Sequence, residues 1–290
     1  MLRLKLYLLF FILLGSIANK TQADDYPQHI ISLAPHITEM VFKLGAGDRL
    51  IGRTDFCTYP SRATQIESVG GYLNIDFEKL VSLKPDLVLQ FPNQENKRKI
   101  ESLGFRVEEI PNEAIDQILN SILKLGKILG LEDRAREVWS GINDTLKMVQ
   151  QKGGKFSGAP TALLLVGRER QSLRGLYAAG KSTYLGEIWA LSGGTVAFDK
   201  VNARYFSVSK EDIIKNKIDV ILEFHRGWNL NSQDMQTEIN IWNVFLNLPA
   251  VIKGNIYIFD QDYFLIPGPR ITQIALEFSK IIKQINEEPE

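Results

Sequence analysis

Residues 76–91, DFEKLVSLKPDLVLQF, return as residues 209–224, SKEDIIKNKIDVILEF, 133 positions later and without a gap. Five pairs are identical: Glu78/Glu211, Lys84/Lys217, Asp86/Asp219, Leu89/Leu222 and Phe91/Phe224. Chance gives roughly one identity in sixteen at ordinary residue frequencies. Most of the remaining pairs keep their apolar or polar character, and the shared pattern has a mechanical reading. Asp76 and Ser209 are good N-cap residues, and Ser209-x-x-Asp212 has the capping-box spacing. Leu80, Val81 and Leu83 give one apolar helix face, and Pro85 stops that helix because it lacks a donor and clashes with the preceding turn. Residues 87–89 and 220–222 are continuous apolar runs, as in a strand covered on both faces. One helix-then-strand unit therefore occurs in each half. A repeat at half-chain spacing predicts two similar lobes rather than a solenoid, whose period is several-fold shorter.

The first residues speak to the compartment. Arg3 and Lys5 precede an apolar run over 6–14, and residues 16–23 offer small side chains for cleavage after Ala23. A basic start, a short apolar core and a small-residue exit describe a secretory signal peptide. The run is too short for a membrane span, which needs about 20 residues. No cysteine follows it, so the expected product is a soluble periplasmic protein without a lipid anchor. About 267 residues remain after the cut, ample for two lobes with their own cores. Basic and acidic side chains balance at 34 each, which gives no footprint for nucleic acid or an anionic membrane. Cys57 is the single cysteine, so no internal disulfide is available and the fold must hold by packing.

Along the chain, strands alternate with helices. Residues 30–34 read as a strand, Pro35 opens a helix that Gly45 and Gly47 end, and 49–53 is a second strand. After the first repeat copy come a helix over 93–103 and a strand over 105–110. This spacing indicates parallel α/β layers. The pattern then changes. Residues 114–129 and 132–151 are helical, the second with Ala135, Val138, Trp139, Ile142, Leu146 and Val149 spaced for one apolar stripe. About twenty helical residues span ~30 Å, enough to join two lobes. A second α/β lobe follows, with a strand from Thr161, a helix over 184–191, the second repeat copy, a strand over 256–259 and a closing helix from Pro269. The expected architecture is therefore α/β: two lobes, each a mostly parallel sheet flanked by helices, joined by one long helix with a ligand cleft between them. Its expected divisions are 1–23 signal, 24–130 first lobe, 131–155 interlobe helix and 156–290 second lobe.

In open parallel sheets ligands bind beyond the carboxyl ends of the strands, and in two-lobe proteins between the lobes. His36, His225 and residues 260–267 follow predicted strands. Aromatics crowd these places: Tyr59, Tyr72, Phe91, Tyr177, Tyr205, Trp228, Tyr263 and Phe264. Tyr72 and Tyr205 each stand six residues before the repeat glutamate, as pseudo-symmetric equivalents. Such a cleft suits a large flat ligand with hydrogen-bonding edges. No catalytic signature, phosphate loop or zinc spacing is present. Cys57 with His36 is the one pair that an enzyme reading would need. Glu78 and Glu211 lie in first helical turns, where the helix dipole favours negative charge. They are either capping charges or matched acidic knobs, one per lobe, that meet arginines of a two-fold partner.

Ile31-Ser32-Leu33-Ala34-Pro35 with Thr38-Glu39, the run LGAGDRLIG over 44–52, Asp55-Phe56-Cys57-x-Tyr59-Pro60, Val69-Gly70-Gly71-Tyr72, Leu83-Lys84-Pro85-Asp86-Leu87-Val88-Leu89 and Pro267-Gly268-Pro269-Arg270 resemble the periplasmic iron-complex and cobalamin binding proteins. The resemblance covers essentially the whole mature chain. It implies a non-enzymatic binding protein, monomeric, that feeds an ABC importer, with two α/β lobes bridged by one long helix. The likeness is greatest to the cobalamin-binding branch. It implies ligand contacts at Tyr59, Tyr72, Phe91, Tyr177, Tyr205 and Asp262, with cobalamin or another corrinoid as the transported ligand. Tyr72, Phe91 and Tyr205 stand where that branch has tryptophans, and Ile266 stands where it has an arginine. Glu78 and Glu211 match the two glutamates that dock onto arginines of the permease dimer. Haem and ferric-siderophore binders belong to the same class of importer proteins. For haem the axial candidates are Tyr72, His36 and His225, and for a siderophore the candidate arginines are Arg168, Arg170, Arg174 and Arg226.

Overall fold

The computed structural model describes residues 26–156 and 158–287, so the signal segment expected over 1–23 lies outside the described residues. In the first lobe β1 (Ile30–Ser32) leads through α1 (Pro35–Leu44) to β2 (Leu50–Arg53). Then α2 (Phe77–Ser82) leads to β3 (Leu87–Gln90), and α3 (Gln94–Ser102) to β4 (Val107–Glu109). The four strands pair in the order β2-β1-β3-β4, and every pairing is parallel. Two helices follow, α4 (Ile115–Leu129) and α5 (Glu132–Gly153).

The second lobe runs β5 (Thr161–Gly167), β6 (Tyr177–Ala179), α6 (Tyr184–Leu191), β7 (Thr195–Val196), β8 (Tyr205–Ser207), α7 (Lys210–Lys215) and β9 (Val220–Phe224). It ends with α8 (Ser232–Asn240), α9 (Pro249–Ile252), β10 (Ile256–Phe259) and α10 (Ile271–Glu287). Its parallel strands pair as β7-β5-β9-β10, the order of β2-β1-β3-β4 strand for strand. The duplication visible in sequence as one helix and one strand thus extends over a four-stranded sheet. Because β9 fills one edge of β5, β7 and β6 share the other, β7 at Thr161–Ala162 and β6 at Leu165–Gly167. β6 and β8 are antiparallel additions that the first lobe lacks. Three-residue strands are too short for alternation to announce them, and the sequence reading has no counterpart.

The caps act where the repeat places them. The Asp76 carboxylate accepts from the Lys79 amide at 2.9 Å. Ser209 and Asp212 bond reciprocally in a capping box, both at 3.1 Å. The expected apolar face of α2 needs correction. Leu80 is fully buried, but Val81 is 40% exposed, because successive helical residues lie about 100° apart and a helix this short buries one position. At the end of α1, Gly45 takes φ 91°, a left-handed cap that glycine enters without Cβ strain.

Strand residues alternate between two apolar layers. Ile30, Leu87 and Leu89 in the first lobe face inward, as do Ala162, Leu164, Val220, Leu222 and Phe224 in the second. Ile31 and Val88 face an outer cluster under α2 and α3, while Leu163, Leu165 and Ile221 face the outer cluster of the second lobe. The two inward faces belong to one continuous core. It passes through the α5 stripe Ala135, Val138, Ile142, Leu146 and Val149, with Trp139 partly buried against it. α5 packs on α1 and α4 of one lobe and on α6 and α10 of the other. Its far end sits tightly: a Cβ on Gly153 would come 2.5 Å from the Ser192 carbonyl carbon.

Phe224 stands in this shared core against Phe259, Phe264 and Phe278, with ring centroids 5.6, 5.2 and 6.0 Å away. Phe224→Ala should cost about 3–5 kcal/mol, read as a lower urea midpoint with unchanged slope.

Candidate functional site

The carboxyl ends of the strands meet at a cavity of about 350 Å³ between the lobes. From the first lobe come His36 just beyond β1, Phe91 just beyond β3, Asn112 and Glu113 beyond β4, and Tyr72 from the loop before α2. Val166 of β5, Tyr184 opening α6, Tyr205 opening β8, and Leu265 with Pro267 face them from the second lobe. This is the position that parallel α/β sheets give a ligand.

Tyr72, Phe91 and Tyr205 line this cavity from opposite lobes. Tyr177 does not line it, but stacks on Tyr205 at 6.3 Å between centroids and 19° between planes, so it extends that aromatic wall outward. Tyr59 and Asp262 lie outside the lining and converge on Arg270. The guanidinium sits 4.2 Å from the Tyr59 ring centroid, and its Nη1 donates to Asp262 Oδ1 at 3.0 Å. Its Nε and Nη2 donate to both oxygens of Glu39 at 2.8 and 2.5 Å. Arg270 precedes α10 while Glu39 lies in α1, so this fork joins the lobes. Sequence reading missed the pair, since 231 residues separate its members. The available signal was a lone glutamate inside the otherwise apolar stretch of α1.

The seam carries further bonds. The Tyr184 amide donates to Glu113 O at 2.8 Å, the Ile115 amide to Glu187 Oε2 at 2.7 Å, and Arg226 Nη2 to Phe56 O at 2.9 Å. Glu113 also pairs with Arg204 at 2.6 Å.

The histidines have different surroundings. His36 is buried in the cavity wall, with Nε2 3.2 Å from Ile110 O. Burial pushes its pKa down to about 4, only partly opposed by that carbonyl. A carbonyl can only accept, so the proton is assigned to Nε2, leaving Nδ1 an acceptor. His225 lies outside the cavity lining; its Nε2 is 2.7 Å from Glu223 Oε2, and its ring stacks on Trp228 at 3.5 Å. Glu223 belongs to a buried network with Arg168, Trp242 and, through Arg168, Glu238. The other candidate arginines are likewise engaged away from the cavity, Arg170 with Asp234 and Glu238 and Arg174 with Glu169. Cys57 is fully buried, its sulfur 3.1 Å from Thr54 Oγ1, and makes no contact with His36 among the described residues.

Burial also raises two of the phenols that line the cavity. Tyr205 rises to about 12, with Glu113 adding to the desolvation. Tyr184 rises well above the usual phenol range and donates to Phe264 O at 2.6 Å. The cavity surface is therefore aromatic and uncharged apart from the Glu113–Arg204 pair. Among the described residues no cluster of His, Cys, Asp or Glu has metal-holding geometry. Such a surface holds a flat ring by stacking and apolar burial. Glu78 and Glu211 sit elsewhere, exposed in the first turns of α2 and α7.

Residues 30–263 match the family model described as periplasmic binding protein. The chain is 26% identical over 273 residues to the vitamin B12-binding protein of Vibrio parahaemolyticus, covering 90% of this chain and 91% of that one. It is also 26% identical over 265 residues to the ABC transporter substrate-binding lipoprotein YvrC of Bacillus subtilis, covering 88% and 80%. The crystal structure of the periplasmic vitamin B12 binding protein BtuF of Vibrio cholerae superposes with a TM-score of 0.76 at 22% identity, covering 90% and 99%. At that identity the superposition speaks to the fold alone.

Two measurements check these electrostatics. Arg270→Met should cost about 3–5 kcal/mol in urea unfolding by leaving Glu39 buried and unpaired, with Glu39→Gln/Arg270→Met recovering part of the loss. The His36 pKa is lower folded than unfolded, so its contribution is complete above about 6.5 and falls away as pH drops toward about 4. His36→Leu should flatten the wild-type stability profile in that window by roughly 3 kcal/mol.

Proposed function

We propose that this chain, which belongs to the periplasmic binding protein family, captures cobalamin or a related corrinoid between its lobes and delivers it to an ABC permease. The observation that carries this reading is the cavity at the lobe seam, walled by Tyr72, Phe91 and Tyr205 and with Glu113, already paired to Arg204, as its one charged lining residue. The near full-length likeness to vitamin B12-binding proteins supports it. A corrin ring enters edge-on between the aromatic walls, while its bulk lies along the seam beside Tyr177. No covalent step is required. Capture is stacking and desolvation, and the lobes shift only slightly because they share one core.

Residues 1–23 serve as a cleavable export signal in this reading, and the protein works in the periplasm. The Bacillus relative is named a lipoprotein, but the one cysteine here is Cys57, buried in the fold. Glu78 and Glu211 are the contacts to the permease. They are repeat equivalents, both exposed, and both in first helical turns away from the ligand, as acids that grip a two-fold partner's arginines need to be.

Haem is the second reading, and one observation favours it: Tyr72 faces the cavity with no hydrogen-bond partner among the described residues. A phenolate there could take an axial position on iron. Haemin titration separates the two readings. A Soret shift that Tyr72→Phe abolishes supports haem, and an unchanged spectrum removes it.

Calorimetric titration with cyanocobalamin and dicyanocobinamide should give saturable binding of at least one, and silence with both overturns the corrinoid reading. Replacing Glu78 and Glu211 together by arginine should leave that affinity unchanged while ligand uptake by cells carrying the variant falls at least tenfold, given several charge-assisted contacts reversed in sign. Normal uptake would return both residues to being helix-end charges.

A further inference from the structure

We propose that Asn112, with His36 beside it, selects the rim of the ligand, accepting peripheral carboxamides and disfavouring carboxylates. This rests on the cleft binding a corrinoid or another large ring, and it names which edge chemistry that ring must carry. Asn112 directly follows Pro111 beyond β4, is only 8% exposed, and lines the cavity. Its carboxamide meets no protein partner among the described residues. Buried polar groups are paired in the large majority of cases, so an open buried amide facing a cavity marks a place for a ligand atom. Other asparagines show what the same side chain does when the fold uses it: Asn93 and Asn231 accept backbone amides at helix starts.

His36 supplies the second group. Its Nε2 is tied to Ile110 O, two residues before Asn112, so both polar groups belong to one corner of the cavity. The free Nδ1 offers a lone pair. Burial keeps the ring neutral down to about pH 4, so this nitrogen presents no positive charge to an anion in the periplasm.

Charge settles which rim fits. Glu113 is the one ionised side chain among the lining residues, and Arg204 already holds its carboxylate. A ligand carboxylate entering this corner would be desolvated with no cation to meet it, and its oxygens would face the Nδ1 lone pair. A carboxamide instead donates an N–H to Nδ1 and makes the two-bond amide pair with Asn112. An edge of amides is therefore complementary and an edge of acids is not.

The test titrates the purified protein with dicyanocobinamide, whose rim keeps its carboxamides, and with dicyanocobyrinic acid, the same ring with carboxylates. The wild type should bind the amide ring at least tenfold more tightly. Asn112→Leu, Asn112→Ala and His36→Leu should each weaken amide-ring binding roughly tenfold, the size of one lost buried hydrogen bond, and narrow the preference. Thermal unfolding of each variant reports whether it is folded. Folded variants with wild-type affinity and preference overturn the proposal, as does a wild type that prefers the acid ring or binds the two equally. A wild type that binds neither ring overturns the corrinoid reading itself and this inference with it.

Discussion

One apolar core runs through both lobes, and the rest of the molecule depends on it. The inward faces of the two sheets do not form separate interiors; they meet across α5, whose buried stripe belongs to the same cluster as Leu87 and Leu222. Separating the lobes would expose that stripe to water, at about 25 cal/mol for each Å² uncovered. The seam is therefore free to part only on the side away from α5, where polar contacts rather than apolar packing hold it. The Glu39–Arg270 fork and the Arg226–Phe56 bond are of that kind.

The fork and the cavity divide the polar work between them. Glu39 rises in pKa through burial although Arg270 opposes the shift, which marks a pair buried at real cost. Buried ion pairs of this kind are often replaceable by apolar residues without loss of stability, so its geometry is better understood as fixing how α1 and the start of α10 face each other. Tyr59 and Asp262 support that guanidinium. Both lie outside the cavity lining. Burial in the cavity wall favours the neutral forms of Tyr184, Tyr205 and His36, an environment suited to holding a neutral ring.

Much of the fold was legible because the duplication is local. Asp76 and Ser209 cap as their spacing implies, α6 and β10 fall at the residues that periodicity marks, and the α5 stripe is buried as read. The strand order of the second lobe was only half visible, since β6 and β8 are three residues each and pair antiparallel on an edge that β7 also uses. Val81 misled because an apolar residue beside a buried one in a short helix has no second surface to pack on. In the site, the aromatic beyond a strand, Phe91, and the two tyrosines matched by the repeat, Tyr72 and Tyr205, are cavity walls. The Glu39–Arg270 pair, Asn112 and Tyr184 were not legible: the first depends on a contact across most of the chain, and the others are ordinary residues made special only by where the fold places them in the cavity wall.

A shared core has a consequence for signalling outward. α2 and α7 each hang from a sheet whose inner face is fixed to α5, so the distance between Glu78 and Glu211 is set by the scaffold rather than by the cleft. Filled and empty molecules then offer a receiving surface nearly the same pair of charges at the same spacing. A permease docked on them, as proposed above, cannot tell cargo from vacancy by measuring that spacing, and would have to inspect the mouth of the cavity itself.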